Sequence, residues 1–438
     1  MSLHDPVRFA DIVRGMIDIQ VNEGWLPECR GATIQQWVQG GSNADPILGE
    51  FFVKFQGQAA ALGVSGDALY NALVQDAEHE PASWDFQGRQ ADAWVKYNYL
   101  PSNDVETTGH WGMSTRQASR TMEYAFNDFA VSQVAKLLGK TADAQKYAER
   151  AQNFVNVWDA SVAFPGTNLT GMVQLRSSSG NFTYTDPRHC SVNDPTHSAC
   201  YLDSFNHDGF YESSPIVYSQ FAPQDTAKLV QLQGGPKNFI DRLNVIFTQK
   251  YFDPTDQPSF QIPFMYHYAD RPGLSTQISR QIIANFFNTS VNGLPGNDDS
   301  GAMASFTVFL LAGLYPVPAT RQFLLSSPHF AEISFTNPIL KTTTTIRSKN
   351  FSGNPVNGIG GNVFVQVSQS TFDLTTRIDD VGQSVTVHGR PYKSNCYLDW
   401  DVFTSGATVE LTLTTDINVS CGSGPNALPP SLSTGGFS

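Results

Sequence analysis

Residues Ser119–Lys140 read SRTMEYAFNDFAVSQVAKLLGK. Met122, Ala125, Phe126, Phe129, Val134 and Leu137 recur at the three- and four-residue spacing that places them on one stripe of an α-helix. Gly139 supplies the stop signal, and Thr141 is positioned to cap a second amphipathic stretch, ADAQKYAERAQNFVNVWD (142–159). Two such helices with a short join make an antiparallel helical hairpin. The pattern returns in SPIVYSQFAPQDTAKLVQLQGG (214–235), PKNFIDRLNVIFTQKYF (236–252), STQISRQIIANFFN (275–288) and GAMASFTVFLLAGLYP (301–316). Helix pairs without a fixed repeat length suit an α/α toroid better than a helical-repeat array, so the expected class is mainly α. Such a toroid carries its sites on loops at one end.

The regions around this helical body differ in kind. Residues 160–210 are rich in Gly, Ser, Asn and Asp, and an irregular stretch of that length points to function or disorder. From about residue 325 the periodicity shortens to two. TTTTIRS, NVFVQVSQ, TFDLTTRI, SVTVHGRPY and ATVELTLTT read as the strands of a small β-sandwich. The division expected is a helical domain over 1–322, a β-sandwich over 323–424 and a tail over 425–438.

The net charge of −13 disfavours a phosphate backbone as partner and is compatible with a neutral ligand or a metal cation. No apolar run is long enough to cross a bilayer. The first sixteen residues, MSLHDPVRFADIVRGM, lack the apolar core of a signal peptide. Asn-x-Ser/Thr sequons nevertheless occur at Asn168, Asn181, Asn288, Asn350 and Asn418. Of the five cysteines, Cys190 with Cys200 and Cys396 with Cys421 are candidate disulfides, leaving Cys29; five free thiols is the competing reading.

The candidate chemistry is carboxylate chemistry. In GGSNAD, Asp45 either caps the helix that follows or faces a ligand. In HDGFYESSP, Glu212 stands among Tyr211 and Tyr218, where a carboxyl acquires the raised proton affinity a general acid needs. The alternative is an ordinary first-turn glutamate favoured by the helix dipole. In GLPGNDDSG (293–301), Asn297, Asp298 and Asp299 stand between glycines, as a turn or as a site. Asp256 and Gln257 on an irregular loop are oxygen donors of the kind calcium takes. The calcium-loop pattern of an EF-hand fails around Asn206 and Asp208, because Pro215 stands where the closing glutamate belongs. Zinc, phosphate-loop and nucleophilic-serine motifs are absent from the sequence.

GWLPECRG, QGGSNADPILGEFFVK, EYAFNDF, DQPSFQIPFMYHYADRP, GLPGNDDSGAMASFTVFLLAGLYPV, SSPHFAEISF and VTVHGRPY occur in this order. Together they resemble glycoside hydrolase family 92, the calcium-dependent exo-acting α-mannosidases, and the loops and tail resemble fungal members. The resemblance covers almost the whole chain. It implies an (α/α)6 toroid that hydrolyses terminal α-mannosides of N-glycans or mannoproteins with inversion. Glu212 matches the family's acid and Asp299 its base. Asp45, Arg89, Asn297 and Asp298 match positions that contact or surround the sugar. The metal positions match Asp256, Gln257 and Asp299, although the family's Gly-Asn-Glu-Pro-Ser reads Thr-Asp-Gln-Pro-Ser here. The resemblance also implies an N-terminal β-sandwich and a first catalytic segment, both expected to lie upstream of Met1 with the signal peptide of a secreted protein. A mannose-binding relative without turnover, and a toroid lyase acting on acidic polysaccharide, are the competing functions. The acidic charge and the scarcity of clustered Arg and Lys disfavour the lyase.

Overall fold

The helix announced by the opening stretch runs from Gln117 to Leu137, and every residue from Gln117 to Ser132 is buried. A single apolar stripe does not account for that. In the computed structural model the opposite face carries Arg120, Glu123, Asn127 and Asp128, which turn inward and bind partners. Helices hidden all round are central elements of a large core. The model describes residues 1–31, 34–35, 40–103, 109–112, 115–198, 208–354, 361–366 and 384–437.

The described helices are α1 (Pro6–Glu23), α2 (Ala44–Phe55), α3 (Gly66–Glu78), α4 (Ala91–Tyr97), α5 (Gln117–Leu137) and α6 (Thr141–Arg150). They continue with α7 (Pro215–Tyr218), α8 (Thr226–Leu232), α9 (Pro236–Thr248), α10 (Pro272–Phe286) and α11 (Ala302–Ala312). α5 packs against α2, α3 and α6, so the hairpin read from the sequence forms the middle of the helical body. Two helices are shorter than their periodicity suggested. α6 ends at Arg150, beyond which a 3-10 turn leads into the strand Trp158–Ala163. Residues 214–235 break into α7 and α8 around Pro223, whose ring cannot continue a helix. Thr141 is the first residue of α6 and its side chain makes no cap.

The β region shares its core with the N-terminal helices. Trp400 meets Phe55 edge-on at 5.7 Å between centroids and donates its indole N–H to the carbonyl of Lys54 at 3.0 Å. Strand Thr408–Thr414 lies parallel to Thr342–Lys349 and antiparallel to Val385–Val387, with Ile346 opposite Val409. Strand Gln322–Leu325, at the expected domain boundary, pairs with Leu314–Pro316 on one side and Tyr397–Asp399 on the other. The strand read at TFDLTTRI and the last three residues of that at NVFVQVSQ lie outside the described residues; Phe364–Val365 within the latter form a strand. Cys396 and Cys421 are disulfide-bonded with Cα atoms 4.9 Å apart. Closing a loop of that length is worth about 3 kcal/mol. Cys190 is also disulfide-bonded, Cys29 is in no disulfide, and Cys200 lies outside the described residues.

Residues 425–437, read above as a tail, lie on the helical body. Ser431 accepts from the Ala227 N–H, Ser433 donates to Asp225, and the Phe437 ring meets Phe129 at 5.3 Å.

A carboxylate-lined candidate active site

Two loops at the ends of helices bring the proposed acid and base together. Glu212 precedes α7 by three residues, so it is not a first-turn glutamate; Ser214 is the N-cap and Pro215 the first residue. Asp299 precedes α11 by three residues. Both have left-handed backbones, with φ of 66° at Glu212 and 47° at Asp299. Non-glycine residues are held there only when surrounding structure enforces it, and such positions cluster at functional sites.

Gln257 links the two carboxyls. Its backbone N–H donates to Glu212 Oε1 at 3.2 Å, and its side-chain amide donates to Asp299 Oδ2 in a short contact. The cavity around them has a volume of about 630 Å³, and Asp253, Asp256, Asn297 and Tyr211 also line it. Four carboxylates thus share one cavity whose described lining contains no Lys or Arg. The electrostatic result is strong. Burial first, then the charges of Glu123, Asp299 and Asp253, push the Glu212 carboxyl up to about 7 against the pull of the Gln257 N–H. Burial, then Asp253 and Glu212, push Asp256 up to about 8. A carboxylic acid that keeps its proton near neutrality is what general-acid catalysis requires.

The GLPGNDDSG stretch is turn and site at once. A Cβ at Gly293 would lie 1.9 Å from the Asn288 carbonyl oxygen, so only glycine fits that bend. Asn297 and Asp299 line the cavity. Asp298 points elsewhere: its carbonyl accepts from Gly301, Ala302 and Met303, and its carboxylate accepts from the Ala304 N–H at 3.1 Å. It caps α11 rather than contacting the cavity.

Asp45 and Arg89 also lie off the cavity lining. Asp45 sits in the first turn of α2 without being its N-cap, and both residues are fully buried. Arg89 bonds Asp45 at 2.6 Å and Asp128 at 2.7 Å, and Arg150 reaches Asp128 from the other side at 2.8 Å. The GGSNAD glycines serve a different carboxylate. A Cβ at Gly40 would lie 2.4 Å from Glu123 Oε1, and Gly41 donates its N–H to Glu123 Oε2 at 2.5 Å. Tyr218 donates to the other oxygen of Glu123 at 2.8 Å.

Other contributors have weaker sequence signals. Arg116 stacks over the Tyr211 ring at 3.9 Å, and nothing in the local pattern marks that pair. Asp253 opens an Asx-turn, accepting from Thr255 N–H at 2.9 Å and Oγ1 at 2.7 Å; the Asp-Pro-Thr spelling was its only mark. Asp194 organises the segment 190–198, which supplies Cys190, Ser191, Val192, His197 and Ser198 to the cavity wall. It accepts from the N–H groups of Cys190, Thr196 and Ser198 and from the Thr196 hydroxyl, and it faces His189 Nδ1 at 3.2 Å. Burial opposes its charge, but these hydrogen bonds and His189 win and hold the carboxyl down to about 2.

Residues 1–415 match the family model of the glycosyl hydrolase family 92 catalytic domain. The chain belongs to glycosyl hydrolase family 92. It is 34% identical over 425 residues to an uncharacterized secreted glycosidase of Arthroderma benhamiae, covering 96% of this chain and 51% of that protein. The fold of this family 92 chain resembles the alpha-mannosidase BT3965 from Bacteroides thetaiotaomicron, with a TM-score of 0.75 at 21% identity over 98% of this chain and 50% of that one. It also resembles the inverting mannosidase BT2199 from the same organism, with a TM-score of 0.77 at 18% identity over 99% of this chain and 54% of that one. The chain spans about half the length of the proteins it matches.

The donor chemistry of the cavity fits a hard cation. Asp256 and Asp299 line the cavity and Gln257 bonds Asp299, so two carboxylates and an amide are on offer, and a divalent charge would offset the carboxylate repulsion that adds to burial in raising Glu212 and Asp256. Among the described residues, Glu80, Asp92 and His110 bring metal-capable atoms within 4.8 Å of one another. None of these lines the cavity, and the Glu80 carboxylate accepts from the Asp92 N–H at the start of α4.

Proposed function

We propose that this chain is the catalytic part of an exo-acting α-mannosidase that hydrolyses terminal α-linked mannose of N-glycans or mannoproteins with inversion. The helical body is then its (α/α)6 toroid. The observation that carries the reading is the pairing of Glu212, protonated near neutrality, with Asp299 across Gln257 in a family 92 cavity.

The roles follow from charge. Glu212 gives its proton to the glycosidic oxygen as the bond from that oxygen to C1 breaks. Asp299 takes a proton from a water whose oxygen forms the new bond to C1 on the opposite face. Glu212 ends ionised, Asp299 ends protonated, and the anomeric centre is inverted. Such a pair stands about 6.5–9.5 Å apart, leaving room for the water. Asn297 is positioned to hydrogen-bond the sugar. Asp45 and Arg89, both fully buried and off the cavity lining, are assigned a supporting role.

Asp256, Gln257 and Asp299 would hold Ca²⁺. When bound, it would supply orientation of the mannose and help distort its ring toward the transition state. Mannose release from α-mannobiose tests the reading. Activity is expected to vanish after rigorous EDTA treatment and to return when calcium, in excess of chelator, is added back. Full activity in the chelated protein contradicts the metal assignment.

Secretion belongs to the same proposal. All five sequon asparagines are exposed, and among the described residues no helix is long and apolar enough to cross a membrane. The curated relative is named a secreted glycosidase. The remaining half of the family's length is expected to supply an N-terminal β-sandwich partner.

A further inference from the structure

The loop that follows α10 closes on itself before the chain enters the carboxylate stretch. Asn288 donates its backbone N–H to the Gly293 carbonyl at 3.1 Å, and Gly293 donates back to the Ser290 carbonyl at 3.0 Å. Within this loop the Asn288 side chain forms an Asx-turn, its Oδ1 accepting from the Ser290 N–H at 2.9 Å. Its Nδ2 donates to no group among the described residues. Asn288, Thr289 and Ser290 are all exposed.

The same loop leaves apolar surface in water. Phe286 is 41% and Leu294 39% exposed, and Val291 is fully exposed. Large apolar side chains gathered on one exposed loop mark a surface that something covers. The chain itself names a covering group, because Asn288-Thr289-Ser290 is a sequon. The other sequons lack this combination. Asn181 Nδ2 donates to Ser179 Oγ at 3.2 Å, and Asn418 Nδ2 donates to Asp416 Oδ1 at 3.3 Å. Asn168 precedes the buried Leu169, and Asn350 precedes Phe351, which packs on the core.

We infer that Asn288 carries an N-linked glycan whose first sugars lie over Phe286, Val291 and Leu294. This rests on the secretion reading and is independent of the hydrolytic one. In the modifying step, Nδ2 bonds to C1 of the first N-acetylhexosamine of a lipid-pyrophosphate-linked oligosaccharide. The bond from C1 to the pyrophosphate oxygen breaks, the lipid pyrophosphate leaves with its electron pair, and the amide gives up one proton. Oδ1 keeps its place in the Asx-turn, so the loop holds its shape. The C–H faces of the sugars pack on the apolar side chains. The glycan then sits on the loop that continues into Gly296, Asn297 and Asp299 on the cavity wall.

The test begins with peptide mass spectrometry of the protein recovered from its source cells and from their medium, before and after enzymatic removal of N-glycans. Hydroxyl-radical footprinting then reads Phe286 and Leu294 in wild type, Asn288→Gln and Ser290→Ala made in the same cells. Each variant abolishes the sequon, and the second keeps the backbone N–H that forms the Asx-turn. The Asn288 peptide is expected to bear N-acetylhexosamine. Labelling of both side chains is expected to rise about twofold in both variants, since a sugar over one face of a ring hides about half of it. An unmodified Asn288 in protein from the medium overturns the site. Labelling unchanged by loss of the glycan overturns the contact. Protein retained in the cells with no sequon modified refutes secretion, and this inference falls with it.

Discussion

Glu212→Gln is expected to lower kcat on α-mannobiose by about 10²–10⁴-fold, the usual worth of a positioned general acid. Folding stability should stay near wild type, since the amide oxygen of glutamine can still accept from the Gln257 N–H. The loss must depend on the leaving group. Fluoride departs without a proton, so α-mannosyl fluoride should be hydrolysed by this variant at close to the wild-type rate. Asp299→Asn should behave differently. Water needs a base whatever leaves, so the loss should be similar on mannobiose and on the fluoride. The contrast separates acid from base, and steady-state kinetics on the two substrates measures it. A Glu212→Gln loss of equal size on both substrates would assign Glu212 a positioning role.

Arg89→Ala is expected to cost about 3–5 kcal/mol of stability, the range for removing one partner of a buried ion pair. Arg89, Asp45 and Asp128 are all fully excluded from solvent. Without the guanidinium, two carboxylates remain buried with reduced compensation. The sign of the pH dependence follows. Burial already pushes Asp45 up to about 6 even with Arg89 opposing it. In the variant, native Asp45 holds its proton more tightly still, whereas the unfolded chain releases it near pH 4. The native state then binds more protons than the unfolded one, so the variant's stability falls as pH rises above about 4. Denaturant midpoints for both proteins should therefore differ more at pH 8 than at pH 5. A gap that is constant with pH, or that shrinks as pH rises, contradicts this account of the network.

These two residues mark what the sequence made legible. The helices around Met122, Phe239 and Phe306 follow from periodicity, because their cores are built from the apolar faces the pattern shows. Glu212 and Asp299 line one cavity, and it was the family resemblance, not periodicity, that singled them out. Position along the chain did not reveal which way neighbouring acids turn. Asp298 and Asp299 are adjacent, yet one carboxylate caps α11 and the other lines the cavity. Asp45 read equally as a helix cap or a ligand-facing carboxylate, and its partner Arg89 lies 44 residues further on. Glu123 sat within a helix that reads as one apolar stripe, and only the close approach of Gly40 and Gly41 shows its partner. Long-range charge pairing leaves no periodic trace, so the buried network was illegible where the helices were plain.

The most direct measurement is proton NMR of the mannose released from a methyl α-mannobioside, whose reducing end is locked as a glycoside, by the calcium-loaded protein, followed before mutarotation. The account predicts β-mannose first, with the α-anomer appearing afterwards at the spontaneous rate. α-Mannose as the first product, or no mannose at all, would contradict it.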